Sequence, residues 1–257
     1  MGARRITTRL ATVIPLGEGL GRVDLEGSGL GLDVQPGRFA MVEAPGRPDC
    51  ILLRPYSYFT SVSADRVGFL VKDTGRGTSA LLAAKEHAEV AVLGPLGNAF
   101  PEPEGKCWAI AGGVGAAAFG ALAEKDGVRI LFGARTAAEA GFAKALEEVG
   151  GEVELATDDG SGGFKGSVVD CLRSGLNQER PDMLLACGPT AMMRAVAQLA
   201  YQHDVPCWVS LEARMGCGFG VCRGCVHRDA NGGWRCICDD GPVYRAETIF
   251  ALAGGHR

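Results

Sequence analysis

The sequence lacks the features that several large classes of protein require. It has no excess of one charge, since 26 lysines and arginines stand against 30 aspartates and glutamates, and this balance argues against a protein that binds nucleic-acid phosphates. No apolar run approaches the roughly 18 residues of a membrane span. Residues 1–10 contain arginines but no apolar stretch of signal-peptide length. We therefore expect a soluble, cytoplasmic protein.

Glycine and cysteine are abundant: the 257 residues include 39 glycines and 10 cysteines. The length suggests about two domains, and the 47% hydrophobic content is enough for each to bury a core. This composition excludes a disordered chain. Secreted scaffolds held by disulfides are short and poor in core residues. We therefore expect the clustered cysteines to hold metal.

The cysteines fall into two groups. Five are scattered singly among apolar residues and are typical of small buried hydrophobic side chains, namely Cys50, Cys107, Cys171, Cys187 and Cys207. The other five begin with Cys217, Cys222 and Cys225 in a C-x4-C-x2-C spacing, and a fourth ligand follows at Cys236 or Cys238. This spacing is typical of plant-type 2Fe-2S ligation. A structural zinc site, which usually takes two separated C-x2-C pairs, is the alternative.

The hydrophobic pattern changes near residue 105. Residues 5–100 contain short β segments broken by glycine and proline, with a brief helix around 79–86, which indicates an antiparallel barrel or sandwich. Strand and helix patterns then alternate as far as about residue 210, which predicts a doubly wound parallel sheet. The segment 101–104 (PEPE) is a plausible linker.

A glycine-rich turn lies between the first predicted strand and helix of this second half. Gly113, Gly115 and Ala118 fit G-x-G-x-x-A, whose glycines allow a pyrophosphate to approach a helix N-terminus. A plain packing turn is the alternative. Arg135 could hold the 2′-phosphate of NADP, whereas Asp158 and Asp159 would repel it. We favour NAD, although a solvated turn would also explain the acidic pair.

Two further segments carry candidate ligand-binding residues. Cys187 ends a predicted parallel strand, where ligands bind, and either approaches a nicotinamide ring or is simply buried. In the first half, the sequence Arg54-Pro55-Tyr56-Ser57 combines a guanidinium, an aromatic ring and a hydroxyl, which could bind phosphate and stack on a flat ring. The turn Gly75-Arg76-Gly77-Thr78 could hold another phosphate. Ordinary turns would explain both segments equally well. The four histidines show no ligand spacing.

Taken together, these segments resemble the ferredoxin-reductase superfamily, and more specifically the electron-transfer subunits of class 1B dihydroorotate dehydrogenase. The resemblance runs through RPYS, GRGT, AGGVG, ATDDGS, ACGP and the cysteine loop followed by CDDGPV. It implies an FAD-binding β-barrel at residues 1–101, an NAD-binding α/β domain at 102–210 and a 2Fe-2S segment at 211–257.

The resemblance also implies roles for individual residues. FAD would contact Arg54, Pro55, Tyr56 and Ser57, with Gly77 and Thr78 at its pyrophosphate, while Gly112, Gly113 and Gly115 would face the dinucleotide. The cluster ligands would be Cys217, Cys222, Cys225 and Cys238. Cys236, which lies two residues before Cys238, departs from the family pattern and could compete as the fourth ligand.

The implied cofactors determine the order of electron transfer. NADH delivers two electrons as hydride, a 2Fe-2S cluster accepts one, and a flavin can do both, so FAD must stand between them. The family passes electrons from dihydroorotate to FMN on a separate catalytic subunit, and then through the cluster and FAD to NAD, in pyrimidine biosynthesis. We expect a heterotetramer with that subunit and no catalytic side chain in this chain. Two alternatives remain, a reductase subunit of a hydrogenase or ferredoxin complex and, more remotely, a zinc-stapled nucleotide-binding module.

Overall fold

The N-terminal part of the chain is a closed antiparallel barrel. In the computed structural model, which describes residues 3–253, the barrel order is β1-β2-β5-β4-β3-β6. Its strands are β1 (Arg4–Gly17), β2 (Leu20–Glu26), β3 (Phe39–Val42), β4 (Arg54–Ser63), β5 (Arg66–Lys72) and β6 (Glu89–Leu96). The sequence left a barrel or a sandwich open, and the pairing of β1 with β6 closes the barrel.

One short helix, α1 (Arg76–Leu82), follows β5. It begins three residues before the predicted start at residue 79. The reason is a capping interaction, because the Thr78 hydroxyl accepts hydrogen bonds from the backbone N–H groups of Thr74, at 2.9 Å, and Gly75, at 3.1 Å. This interaction places Gly77 and Thr78 in the first turn of α1, beside β4.

The second half forms a seven-stranded sheet, as the alternating pattern predicted. Its order is β10-β9-β8-β7-β11-β12-β15, and all neighbours are parallel except β12 and β15. Its strands are β7 (Cys107–Gly112), β8 (Val128–Ala134), β9 (Glu152–Thr157), β10 (Phe164–Lys165), β11 (Met183–Cys187), β12 (Cys207–Ser210) and β15 (Val243–Arg245). The helical elements between β7 and β12 are η1 (Gly113–Leu122), η2 (Ala137–Glu139), α2 (Gly141–Glu148), α3 (Val168–Leu176) and α4 (Thr190–Gln202).

Helical segments cover both faces of this sheet. On one face, Phe119 of η1 and Phe142 of α2 lie in a buried cluster with Ile130. On the other, Leu172 of α3 and Val196 of α4 pack against a second cluster. A parallel sheet covered on both faces is the doubly wound arrangement. The carboxyl ends of β7, β8, β9 and β11 therefore lie along one edge, where such sheets bind ligands.

The segment after β7 is a 3-10 helix, where the sequence indicated a helix after the glycine-rich turn. A Cβ at Gly120 would overlap the Phe59 ring of β4, where it would lie 2.6 Å from Cε2. Another at Gly115 would lie 2.5 Å from the carbonyl carbon of Cys187. This segment is thus held between β4 and β11, and its glycines allow both close approaches.

The C-terminal segment carries a small hairpin and then returns to the main sheet. The hairpin pairs β13 (Val226–Arg228) with β14 (Trp234–Cys236), and α5 (Ile237–Asp240), β15 and α6 (Ala246–Ile249) follow. The Asn98 side chain exchanges two hydrogen bonds of 2.8 Å with the backbone of Val243 in β15, so barrel, sheet and cysteine segment are tied together. The domain boundaries at 101/102 and 210/211 stay a prediction.

None of the helices between residues 3 and 253 has the length and apolar composition needed to cross a membrane.

Candidate functional site

A cleft between the barrel and the large sheet collects most of the residues that the sequence singled out in the barrel. We call it the central cleft. Its barrel wall contains Arg54, Pro55, Tyr56, Ser57 and Thr78. The opposite wall contains Val114, Cys187, Ser210, Leu211, Glu212 and Met215. Ser57 and Cys187, which are 130 positions apart in the chain, therefore line the same cleft.

Arg54 is fixed at the edge of this cleft. One of its guanidinium nitrogens donates to the carbonyl oxygen of Cys50 at 3.3 Å and to that of Leu52. Gly77 lies against the same guanidinium, so that a Cβ there would be 2.7 Å from Cζ of Arg54. The cation thus sits beside the first turn of α1, near Thr78, where it could bind a phosphate.

Tyr56 provides a flat ring on the barrel wall. Its ring stands edge-on to Phe69, with centroids 6.3 Å apart. Burial raises the pKa of Tyr56 to about 12, so the hydroxyl stays protonated and remains a hydrogen-bond donor at neutral pH. A cation, an aromatic ring and hydroxyl groups on one wall fit a flavin dinucleotide, which combines phosphates with a flat ring system.

Two polar side chains of the opposite wall, Ser210 and Glu212, were missed by sequence reasoning. Ser210 is buried and ends β12, and Glu212 follows two residues later. Glu212 lines the central cleft but is exposed to solvent at its opening, and partial desolvation by the cleft walls raises the pKa of its carboxyl. The sequence could have indicated Glu212 by its place just after a parallel strand, because Cys187 was singled out for its place at the end of one.

Cys187 is buried at the base of the cleft, only 2% exposed. Desolvation, together with the charge of Glu212, raises the pKa of its thiol well above the ordinary value. The side chain is therefore a neutral thiol and not a nucleophile. Both sequence interpretations remain compatible with this position, because a buried cysteine that lines a cleft can also face a bound ring.

A second groove runs along the carboxyl ends of β7, β8 and β9. We call it the dinucleotide groove. It is lined by Gly112, the last residue of β7, by Gly113 after it, by Arg135 after β8 and by Asp158 after β9. Gly113 has a φ of 56° and open space where a Cβ would stand. Its backbone is therefore accessible to a ligand, as a pyrophosphate site requires.

Gly115 occupies a different place. It is buried against the carbonyl group of Cys187 and does not line the groove. Its lack of a side chain serves the contact between η1 and β11. The second glycine of such a turn lets the backbone approach the pyrophosphate, and for Gly115 this role stays a prediction.

The cysteine segment brings three thiols into contact. The Sγ atoms of Cys225, Cys236 and Cys238 are buried and lie within 4.8 Å of one another. Cys225 Sγ is 3.6 Å from Cys236 Sγ and 3.2 Å from Cys238 Sγ. Cys217 and Cys222 lie on the preceding loop, half-buried and exposed respectively. Of the four predicted ligands, the structure therefore brings Cys225 and Cys238 together, with Cys236 as the third thiol, while Cys217 and Cys222 stand outside this group of three.

Backbone N–H groups of the glycine-rich loop point at these sulfurs. Cys222 N donates to Cys217 Sγ at 3.4 Å, and Gly224 N donates to Cys222 Sγ at 3.5 Å. Desolvation raises the pKa of Cys217, but N–H donors from Cys222, Phe219 and Val221 outweigh it and lower this pKa to about 6. Donors that stabilise thiolate are the environment expected around an iron–sulfur cluster. The residues present therefore fit such a cluster.

The fourth ligand was left open between Cys236 and Cys238, and one contact distinguishes the two. Gly220 N donates to Cys238 Sγ at 3.1 Å, so the loop that carries Cys217 and Cys222 also faces Cys238. Cys236 Sγ, by contrast, contacts Cys225 Sγ at 3.6 Å and Cys238 Sγ at 3.9 Å. The hydrogen bond from Gly220 N favours Cys238, and the assignment stays a prediction.

Comparison with known proteins gives the family. A family model described as the iron-sulfur cluster binding domain of dihydroorotate dehydrogenase B matches residues 212–250. A probable electron transfer subunit of dihydroorotate dehydrogenase B (NAD(+)) from Methanocaldococcus jannaschii is 36% identical over 222 residues, or 84% of this chain and 81% of that protein. The chain belongs to this family of electron transfer subunits.

Other members and a solved structure agree with this family. The electron transfer subunit from Bacillus caldolyticus is 37% identical over 228 residues, 84% of this chain and 86% of its own length. The structure of an NADH-dependent reduced ferredoxin-NADP oxidoreductase, studied for flavin-based electron bifurcation, superimposes with a TM-score of 0.82 at 28% identity. It covers 95% of this chain and 89% of the other. The segment matched by the iron–sulfur family model contains all five clustered cysteines. This match favours an iron–sulfur cluster over structural zinc. Glu212 is the first residue of the same segment.

Proposed function

We propose that this chain is the electron transfer subunit of a dihydroorotate dehydrogenase B. It is an oxidoreductase subunit that carries FAD and a 2Fe-2S cluster and exchanges electrons between NAD and an FMN-containing catalytic subunit that oxidises dihydroorotate. When bound, FAD supplies the exchange between hydride from a nicotinamide and single electrons for a cluster. The oxidation of dihydroorotate takes place on the partner.

The central cleft is the proposed FAD site. Tyr56 and Ser57 bind the ring system on the barrel wall, with Pro55 beside them. Arg54 balances the phosphate charge, and Gly77 and Thr78 bind next to it. Cys187, Ser210 and Glu212 form the opposite wall, where a nicotinamide would enter from the dinucleotide groove. The raised pKa of Glu212 allows its carboxyl to hold a proton at this wall at higher pH than an ordinary glutamate.

One observation carries the proposal: the cleft and the cluster segment are consecutive in the chain. Leu211, Glu212 and Met215 line the central cleft, and Cys217 follows only two residues after Met215. At 3.8 Å between consecutive Cα atoms, these two backbone positions are at most about 7.6 Å apart. The chain therefore holds its flavin site and its proposed ligands Cys217, Cys222, Cys225 and Cys238 side by side, as electron transfer requires.

The surface around the cysteine loop supports a partner there. Phe219 is 50% exposed, Val221 73% and Trp234 69%. On the barrel, Leu53 packs against the core cluster that contains the buried thiols, and the adjacent Ile51 and Leu52 are exposed. Exposed apolar residues around a site mark a protein-binding surface. We therefore propose that the catalytic subunit docks on this face, next to the cluster, and that the assembly is a heterotetramer in the cytoplasm.

A second candidate function differs only in the partner. The similarity to the reduced ferredoxin-NADP oxidoreductase favours a reductase subunit that serves a ferredoxin or a hydrogenase. The same cleft and cluster would serve it. Partner identity is therefore the quantity to measure.

The test is co-expression with the FMN-containing catalytic subunit of the same organism. We expect a complex that reduces NAD with dihydroorotate, and loss of this activity with the Cys222→Ser variant. The Cys50→Ser variant, which changes a cysteine outside the cluster segment, is the matched control and should keep the activity. A stable complex that reduces a ferredoxin with NADH but never uses dihydroorotate would overturn the proposal in favour of the second candidate.

A further inference from the structure

Arg135, one of the basic side chains that line the dinucleotide groove, is already paired with a carboxylate. Arg135, after β8, forms a double hydrogen bond to Glu139, with Nε–Oε2 at 3.1 Å and Nη2–Oε1 at 2.7 Å. Glu139 closes η2, only four residues later, and both residues line the groove. The guanidinium that the sequence offered as a clamp for the 2′-phosphate of NADP is therefore occupied by a carboxylate of its own chain.

The two aspartates that follow β9 have different roles. Asp159 turns back on its own loop, where its Oδ1 accepts from Ser161 N at 2.9 Å and from Ser161 Oγ at 2.6 Å. Asp158 instead lines the groove and is exposed. It lies within electrostatic reach of Arg135, because its charge, after the hydrogen bond and charge of Glu139, contributes to the raised pKa of that guanidinium.

The charges of the groove therefore sum to a negative value. Its lining contains three basic side chains, Lys72, Arg135 and Arg173, and four acidic ones, Glu18, Glu139, Asp158 and Asp170. Arg173 is paired as well, since its Nη1 lies 2.6 Å from Asp170 Oδ1. Around Arg135, the carboxylates of Glu139 and Asp158 outnumber the single guanidinium. A 2′-phosphate, which carries between one and two negative charges, would be repelled there, whereas a 2′-hydroxyl would not.

We propose that Glu139 is a specificity-determining residue, which excludes NADP by occupying Arg135 and by adding its charge to that of Asp158. This inference rests on the proposed dinucleotide site. Glu139 is 38% exposed and Arg135 75%, so the discrimination consists of several small electrostatic contributions. It weakens as salt rises, because exposed charges are screened.

Binding of ADP-ribose and 2′-phospho-ADP-ribose to the full chain isolates this effect from redox chemistry. Isothermal titration calorimetry gives the ratio of the two affinities for each variant. We expect Glu139→Gln and Asp158→Asn each to shift this ratio towards the phosphorylated ligand by about threefold to fivefold, the scale of exposed charge pairs. Because each variant removes a separate negative charge, the two shifts multiply and the double variant should reach about tenfold or more.

Two controls define the outcome. Glu148→Gln removes the same charge from an exposed position of α2 outside the groove and should leave the ratio unchanged. Arg135→Ala in the Glu139→Gln background should cancel the gain, because the freed guanidinium would be the group that binds the phosphate. If ADP-ribose binds but Glu139→Gln leaves the ratio at the wild-type value, the inference is wrong and the site stands. If neither ligand binds the wild-type chain, the proposed dinucleotide site fails together with it.

Discussion

Gly77 and Arg54 are in direct contact: a Cβ at position 77 would lie 2.7 Å from Cζ and 2.9 Å from Nη2 of the guanidinium. Any side chain at this position must therefore displace the cation from the edge of the central cleft. The backbone of Gly77 is in a helix, so the requirement for glycine comes from this contact and not from backbone strain.

The variant Gly77→Ala should lose FAD more readily than the wild-type chain. We expect an affinity lower by about tenfold, or about 1.4 kcal/mol, measured from the flavin that remains bound after dilution. Arg54→Ala should have a similar effect, and the double variant should be scarcely worse than either single one, because both act through the same guanidinium. Additive effects would show that Gly77 acts by another route.

The loop contact at Cys238 predicts which thiol completes the cluster. Because Gly220 N donates to Cys238 Sγ, Cys238→Ser should remove iron and acid-labile sulfide from the purified chain. Cys236→Ser should retain both near the wild-type content. The reverse result would assign the fourth ligand to Cys236. Comparison of bound FAD in each variant separates loss of the cluster from loss of the fold.

The raised pKa of Glu212 predicts that the stability of the folded chain depends on pH. Desolvation raises its pKa above the ordinary value of 4.5, so the folded chain keeps this proton when the unfolded chain has already released it. Stability contributed by the protonated carboxyl is therefore lost as the pH rises from 4.5 through the raised pKa.

Thermal unfolding of the holoprotein between about pH 5 and about pH 8 measures this effect. The Tm of the wild-type chain should fall relative to that of Glu212→Gln as pH rises, by at most a few degrees because solvent reaches the carboxyl. Glu148→Gln, at an exposed position, is the comparison. A difference between wild type and Glu212→Gln that stays constant with pH would contradict the assignment.

The proposed docking face predicts a selective loss of binding. Trp234 is 69% exposed beside the buried thiols, and exposed tryptophans at interfaces often dominate binding energy. Trp234→Ser should weaken binding to the catalytic subunit by about tenfold or more, measured by surface plasmon resonance. Leu32→Ser, at a 60% exposed position of the barrel, should have little effect. Equal effects of the two variants would place the partner elsewhere.

The sequence predicted the local motifs well because short-range chemistry determines them. The spacing of Cys217, Cys222 and Cys225 needs only a tight loop, and the glycines between them provide it. The alternation of strands and helices also follows from hydrophobic patterning, and the doubly wound sheet confirmed it.

Features that depend on tertiary contacts could not be predicted. Glu212 enters the central cleft because β12 lies beside β11, and the sequence does not state this pairing. The antiparallel pairing of β15 with β12 joins the cysteine segment to the main sheet. Glu139 was not singled out, since its interest depends on the position of the Arg135 side chain. The sequence could list the charges near the groove but could not pair them.

The proposed function requires that one chain holds FAD and a 2Fe-2S cluster in electronic contact. Electron paramagnetic resonance of the full chain, purified anaerobically and reduced with NADH, tests it most directly. We expect the signal of a reduced 2Fe-2S cluster at about one spin per chain, because one cluster accepts one electron from the flavin. A colourless, zinc-containing chain, or an iron-loaded chain whose cluster is reduced by dithionite but never by NADH, would contradict it.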